Sequence, residues 1–247
     1  LTSIGFTRLK TDPCIFQLSN GKISMLVGVY VDDLLILHNS SEHFESFLAK
    51  FMARFESKYL GHLEWFLGIH VLRDKAGNIS IDQAKYIKDL MDKFFPNSEV
   101  TTVQRNIPYP ADRCKTLGLA TDDAEIERMR ELPYLQLVGS LLYLTTMTRP
   151  DISYVVGLLC QFMSNPSLQC YEAAQSVLLY CGKTSRLKIH YKAGMLFDIP
   201  NALLAQGAEI KNKYGLHAFS DSSWTSPKST YGYCVLAAGG VVSYCSR

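Results

Sequence analysis

No stretch of this 247-residue chain is apolar for long enough to cross a bilayer. The two greasiest runs, residues 23–37 and 135–163, are broken by Asp32 and Asp33 and by Arg149, Pro150 and Asp151. Neither reaches the roughly 20 uninterrupted apolar residues a spanning helix needs, so no membrane partner is expected. An excess of charge of one sign is missing too: 25 Lys and Arg stand against 23 Asp and Glu, a net charge of +2. That balance neither announces nor excludes a nucleic-acid binder, because acidic surface elsewhere can offset a basic groove. There is no C-x-x-C pair and no Cys/His metal spacing, and the seven cysteines are dispersed. Such a set fits reduced thiols rather than a disulfide framework, and an intracellular location is expected. Residues 1–10 lack the make-up of a signal peptide, and no internal repeat is present. What remains is a globular composition, 47% hydrophobic and 19% charged, with room for one large domain or two smaller ones.

The chain begins as β structure. Residues 15–18, a turn at Ser19-Asn20-Gly21 and residues 23–30 form one hairpin, and residues 34–37 return at once to form a second. Asp32 and Asp33 then fall at the tip of the second. A helix follows, capped by Ser40 or Ser41 with Glu42 in its first turn. Phe44, Phe47, Leu48, Phe51, Met52 and Phe55 form its apolar face, and Lys50, Arg54 and Lys58 line another. Residues 63–72 predict a strand, 75–78 a turn and 79–82 a short return strand. A second amphipathic helix covers 83–95, with Tyr86, Ile87, Leu90, Met91 and Phe94 on one face and Pro96 as its stop. Residues 97–123 show little periodicity and read as a linker. Helical stretches over 133–149, 152–163 and 168–184 come next, with breaks at Pro150 and Pro166. The last part is β again, over 187–191, 215–221, 231–237 and 240–245.

Tyr30-Val31-Asp32-Asp33-Leu34-Leu35-Ile36-Leu37 is the run richest in chemistry. Asp is depleted in strands. Two adjacent carboxylates repel, so placing them between apolar strands costs stability unless a cation sits there. Oxygen ligands on a rigid turn suit a hard cation such as Mg²⁺. Phosphoryl-transfer enzymes commonly hold two such ions about 3.5–4 Å apart. A second reading needs no cation, because aspartates tolerate turn dihedrals and bond nearby backbone. The residues by themselves leave both open.

The run resembles the catalytic Y-x-D-D hairpin of reverse transcriptases, specifically of copia-type LTR-retrotransposon polyproteins, and further motifs of that family follow in order. Gly5-Phe6 and Asp12-Pro13-Cys14-Ile15-Phe16 resemble the segment before the hairpin. Residues 60–69, with Phe66-Leu67-Gly68-Ile69, resemble L-G-x-x-x-x-F-L-G-I, and Gln83 with Tyr86-Ile87 resembles Q-x-x-Y-I. Val138-Gly139-Ser140-Leu141-Leu142-Tyr143-Leu144 and Thr148-Arg149-Pro150-Asp151-Ile152 resemble V-G-S-L-L-Y-L and T-R-P-D-I. Phe219-Ser220-Asp221-Ser222-Ser223-Trp224 and Ser229-Thr230-Tyr231-Gly232-Tyr233 resemble the start of the family's RNase H domain.

The resemblance implies an α+β fold: a partial reverse-transcriptase palm and thumb, a helical connection and an incomplete RNase H-like sheet. The implied boundaries are 1–74 for the palm part, 75–110 thumb-like, 111–214 connection and 215–247 the beginning of RNase H. It gives Asp32 and Asp33 the metal-binding catalytic roles and sets Tyr30 and Val31 near the primer terminus. Phe66, Leu67 and Gly68 match the hairpin that grips the primer strand, and glycine in a strand often marks a close backbone approach. Lys85, Lys88 and Lys93 are candidate phosphate contacts on the thumb-like helix, or simply its solvated face. Asp221 matches the first metal-binding aspartate of RNase H, while Ser222 and Ser223 depart from the family's D-x-D-W. Arg149 and Asp151 read as a helix stop and a helix N-terminal acid.

The implied cofactor is Mg²⁺ or Mn²⁺. The implied partners are an RNA template, a DNA primer, RNA–DNA hybrid, deoxynucleoside triphosphates and the remainder of a polyprotein, in cytoplasmic particles and then the nucleus. In the family another palm aspartate precedes the residues matching Leu1, and further RNase H acids follow those matching Arg247. The 247 residues alone are therefore expected to be inactive. A catalytically dead remnant that at most binds nucleic acid or a protein partner would carry the same motifs.

Overall fold

The computed structural model describes residues 1–19, 24–96, 106–194, 216–223 and 229–246. The chain divides into two compact units, Leu1–His62 and Leu63–Arg247. Helices and antiparallel sheets are both present, in keeping with the α+β expectation.

The first unit is a sheet and a helix. Strands β1 (Thr7–Arg8), β2 (Ile15–Ser19), β3 (Ser24–Tyr30) and β4 (Asp33–His38) pair in sequence order, each antiparallel to the next. Side chains alternate across a strand, and Met25 and Val27 of β3 are fully buried. Helix α1 (Ser41–Met52) supplies Phe44 and Phe47, which join Phe6, Met25 and Val27 in the core. Ser40 is the cap, its hydroxyl accepting from the His43 N–H. The helix ends at Met52, short of Phe55, Arg54 and Lys58. An aromatic three or four residues on prolongs the pattern whether or not the backbone stays helical. Phe55 is accordingly half exposed, its ring 4.8 Å from that of Phe51. The expected turn residues Asn20 and Gly21, and Ile23, lie outside the described residues.

The second unit holds two sheets and a helical core. Strands β5 (Trp65–Phe66), β6 (Ile69–Arg73), β7 (Ile79–Asp82) and, from late in the chain, β8 (Ile189–Tyr191) form one antiparallel sheet. Residues 63–72 are thus two short strands rather than the single strand the apolar pattern predicts. The chain reverses at Leu67-Gly68, where both residues have positive φ, 51° and 73°. Glycine reaches that region freely, and an apolar alternation does not reveal a turn made by leucine and glycine.

Helix α2 (Ala84–Phe94) follows Gln83 as expected. Of the 97–123 linker, residues 97–105 lie outside the described set, and the rest is more ordered than its composition predicts. It contains α3 (Ala111–Cys114) and leads into α4 (Asp123–Glu131), which the apolar pattern did not reveal. Helix α4 has little apolar periodicity. Asp122 caps it, Asp123 and Glu125 lie in its first turn, and Arg128 and Arg130 lie in its last. These charges oppose the helix dipole at both ends.

Helices α5 (Tyr134–Met147), α6 (Ser153–Cys160) and α7 (Leu168–Lys183) match the three expected stretches, with α6 shorter than predicted. Ile87 and Leu90 of α2 share one core with Leu137, Leu141, Leu144, Val156, Leu159 and Val177. Strands β9 (Leu216–Ser223), β10 (Thr230–Ala237) and β11 (Gly240–Ser246) make the remaining sheet, with β10 central. The hydroxyl of Tyr244 on β11 donates to the Thr145 carbonyl on α5. Gly215 and Trp224 lie outside the described residues. Among the described residues no helix is long and apolar enough to cross a membrane.

Candidate active site

Strands β3 and β4 pair from Met25↔His38 to Tyr30↔Asp33, leaving Val31-Asp32 as a two-residue turn. Such turns need positive φ at the first central position, which usually selects glycine, asparagine or aspartate. Here it is Val31, at φ 51°. A β-branched side chain in that region is strained. Burial does not compensate, because Val31 is 83% exposed. Strain of this kind persists where the surroundings over-determine it, and it collects at functional sites. The ladder of paired residues below the turn holds this one in place.

Asp32 lies in the turn and Asp33 opens β4 opposite Tyr30, and both are exposed, as is Tyr30. Among the described residues neither carboxylate has an ion-pair or side-chain hydrogen-bond partner. Among those residues, too, no cluster of three or more His, Cys, Asp or Glu side chains could enclose a metal ion. Two neighbouring exposed carboxylates at a hairpin turn fit Mg²⁺, which is commonly held by one or two carboxylates together with substrate phosphates and water rather than by an all-protein cage.

The other expected site residues lie in the second unit. Phe66 ends β5, and Leu67 and Gly68 make the β5–β6 turn, with Phe66 and Leu67 half-buried and Gly68 exposed. The Tyr143 hydroxyl on α5 donates to the Leu67 carbonyl. Lys85, Lys88 and Lys93 are exposed on α2, and the Lys85 ammonium lies 5.8 Å from the Trp65 ring centroid. Asp221 stands exposed on β9, at the edge of the sheet among the described residues, paired with Gly232, and accepts a 2.8 Å hydrogen bond from the Ser222 N–H. The hairpin carboxylates and Asp221 therefore belong to different sheets of different units.

The T-R-P-D run holds more than a helix stop and a terminal acid. Arg149 is 2% exposed. Its Nε and Nη2 donate to the two oxygens of Asp151 at 2.9 and 2.7 Å, and Nη2 also donates to the Thr184 hydroxyl at 2.7 Å. The Tyr180 hydroxyl donates to Asp151 at 2.9 Å. Burial pushes the Asp151 carboxyl up, but the hydrogen bonds and charge of Arg149, with Tyr180, outweigh it and hold the group below the usual range. The neighbouring Thr148 hydroxyl donates to the Gln83 carboxamide oxygen at 2.8 Å, both residues being buried. An arginine and an aspartate astride a proline, between two apolar helices, were the available sequence signal for this pairing. Nothing local signals the reach of Thr148 to Gln83, 65 positions away.

Residues 1–107 match the family described as Reverse transcriptase (RNA-dependent DNA polymerase). Along its whole length the chain is similar to the Retrovirus-related Pol polyprotein from transposon RE1 of Arabidopsis thaliana, with 33% identity over 15% of that protein. The Pol polyprotein from transposon TNT 1-94 of Nicotiana tabacum is 27% identical over 98% of the chain and 17% of its own length. The putative transposon Ty5-1 protein of Saccharomyces cerevisiae is 27% identical over all of the chain and 73% of its own length. The chain thus spans about a sixth of the plant polyproteins. No solved structure matches it.

Proposed function

We propose that this chain is a segment of a copia-type retrotransposon reverse transcriptase and that its β3–β4 turn is the metal-holding turn of an RNA-directed DNA polymerase. The reaction is template-directed transfer of a nucleotide to a primer 3′-hydroxyl. One observation carries this reading: two adjacent, exposed carboxylates, without a partner among the described residues, stand on a strained hairpin turn. Asp32 and Asp33 would hold Mg²⁺ or Mn²⁺. The bound ions would supply activation of the attacking hydroxyl and neutralisation of charge on the leaving oxygen. The chain's own part is to present both carboxylates rigidly, with Tyr30 and Val31 exposed beside them for a primer terminus. The Phe66-Leu67-Gly68 turn would lie along the primer strand, and the exposed lysines of α2 would neutralise duplex phosphates.

On this reading residues 1–74 are palm, 75–110 thumb-like, 111–214 connection and 215–247 the beginning of an RNase H domain. Asp221 is the first metal-binding acid of that RNase H domain. Substrates are an RNA template, a DNA primer and deoxynucleoside triphosphates, and the working assembly includes the rest of a polyprotein.

The test exchanges this segment into a full-length Pol polyprotein and follows primer extension and RNA-strand cleavage separately. Asp32→Asn is expected to abolish extension. Asp221→Asn is expected to spare extension and remove cleavage. Mg²⁺-dependent extension surviving Asp32→Asn, or a wild-type exchange that never extends a primer, overturns the reading.

A further inference from the structure

We propose that Tyr143 is a positioning residue for the Leu67–Gly68 turn, fixing that turn in the shape that meets a nucleic-acid strand. The inference deepens the function proposed above and rests on it for the strand the turn meets. Its starting point is weak local support. The turn joins β5, two residues long, to β6; among the described residues Trp65↔His70 and Phe66↔Ile69 pair across it, and the Val71 N–H donates to the Glu64 carbonyl at 2.8 Å just below. Both turn residues have positive φ, and the first is a leucine, which leaves that region readily. With so short a ladder beneath it, a strained leucine is held more firmly if something outside the hairpin adds to the restraint.

That restraint comes from the helical layer of the same unit. The Leu67 carbonyl lies in the turn, outside the strand ladder, and the Tyr143 hydroxyl donates to it. At Gly68 a Cβ would meet the Tyr143 oxygen at an ordinary 3.7 Å, so what calls for glycine there is its φ of 73° rather than space. The Tyr143 ring packs edge-on against Tyr86 of α2, with centroids 5.3 Å apart and planes at 87°. Both rings stand on anchored helices. Leu137, Val138, Leu141 and Leu144 of α5 are fully buried, and so very nearly are Ile87 and Leu90 of α2. One hydrogen bond from an anchored aromatic ring therefore sets the tilt of an otherwise loosely held turn. Three runs distant in sequence, F-L-G-I, Q-x-x-Y-I and V-G-S-L-L-Y-L, meet at this contact.

Tyr143→Phe keeps the ring against Tyr86 and removes only the hydroxyl. In the full chain, the Leu67 carbonyl ¹³C resonance and the affinity for a duplex with a recessed primer 3′ end would be measured beside thermal unfolding. The expected result is a moved Leu67 resonance, a nearly unchanged melting temperature and duplex binding weakened roughly three- to tenfold. Gly68→Ala, which forces the same turn from its other residue, is expected to weaken binding while Tyr143 is intact. A Leu67 resonance that stays in place overturns the proposal, as does duplex binding equal to wild type in Tyr143→Phe. If the wild-type chain binds no duplex while the Leu67 resonance still moves in Tyr143→Phe, the functional reading fails instead.

Discussion

Val31 combines a β-branched side chain, a positive φ and almost complete exposure. Left-handed backbone costs an ordinary L-residue about 1–2 kcal/mol, a penalty that asparagine largely escapes. Val31→Asn is therefore expected to stabilise the first unit by about 1 kcal/mol, read as a higher urea midpoint at unchanged slope. A lower midpoint would show that valine makes a contact worth more than the strain. Asp32 and Asp33 are exposed and without a side-chain partner among the described residues, so neutralising either is expected to leave the fold alone. Asp32→Asn is expected to shift stability by no more than about 0.5 kcal/mol while removing Mn²⁺ binding followed by electron paramagnetic resonance. Unfolding of the variant would mean that Asp32 is structural. Both positions were readable from the sequence, since an acidic pair between two apolar runs marks a hairpin tip. The strain at Val31 was not, because φ is imposed by the register of the paired strands.

At the scale of elements, the short Arg149-Pro150-Asp151 corner joins α5, α6 and α7. Arg149→Ala empties a buried position and leaves the solvent-accessible Asp151 without its cation, and is expected to cost about 2 kcal/mol of second-unit stability. A loss below about 1 kcal/mol in chemical denaturation would show that solvent already satisfies Asp151. Asp151 and Asp82 both lie below the ordinary carboxylate pKa. For Asp82, burial again pushes upward, and the Ala84 N–H, Lys188 and His70 outweigh it. Lys188 and His70 approach Asp82 at 3.1 and 3.4 Å. A depressed folded pKa contributes stability that is complete above the unfolded value, about 3.9. That contribution disappears as pH falls through the folded value. The second unit is accordingly expected to weaken below about pH 4, and Asp151→Asn is expected to flatten that acid limb. Equal slopes for wild type and variant would remove Asp151 from the linkage. The sequence pattern showed which segments here are helices, and α5 and α7 match it closely. It missed α4, because a helix held by its cap and terminal charges has almost no apolar period to read.

For the molecule as a whole, each compact unit has its own apolar core. Phe47→Ala is expected to cost the first unit about 3–5 kcal/mol and Leu141→Ala to cost the second about 2–5 kcal/mol. In scanning calorimetry each substitution should lower one transition and leave the other. A single transition that moves as a block in both variants would show that the units unfold as one.

Much of the local structure was already determined by the order of residues: the Asp32-Asp33 hairpin, the α1, α2, α5 and α7 helices, and a strand carrying Asp221 in another sheet. These depend on short-range periodicity, turn propensity and motif order, which are properties of neighbouring residues. Only the tertiary structure decided that β8 completes the sheet begun by β5, that Thr148 reaches Gln83, that the guanidinium clasping Asp151 is itself buried and reaches Thr184, and that Tyr143 donates to the Leu67 carbonyl. The physical reason is common to most of these contacts. They join groups distant along the chain, and a hydrogen bond between such groups forms only after apolar burial has brought their elements together. No local pattern encodes that event.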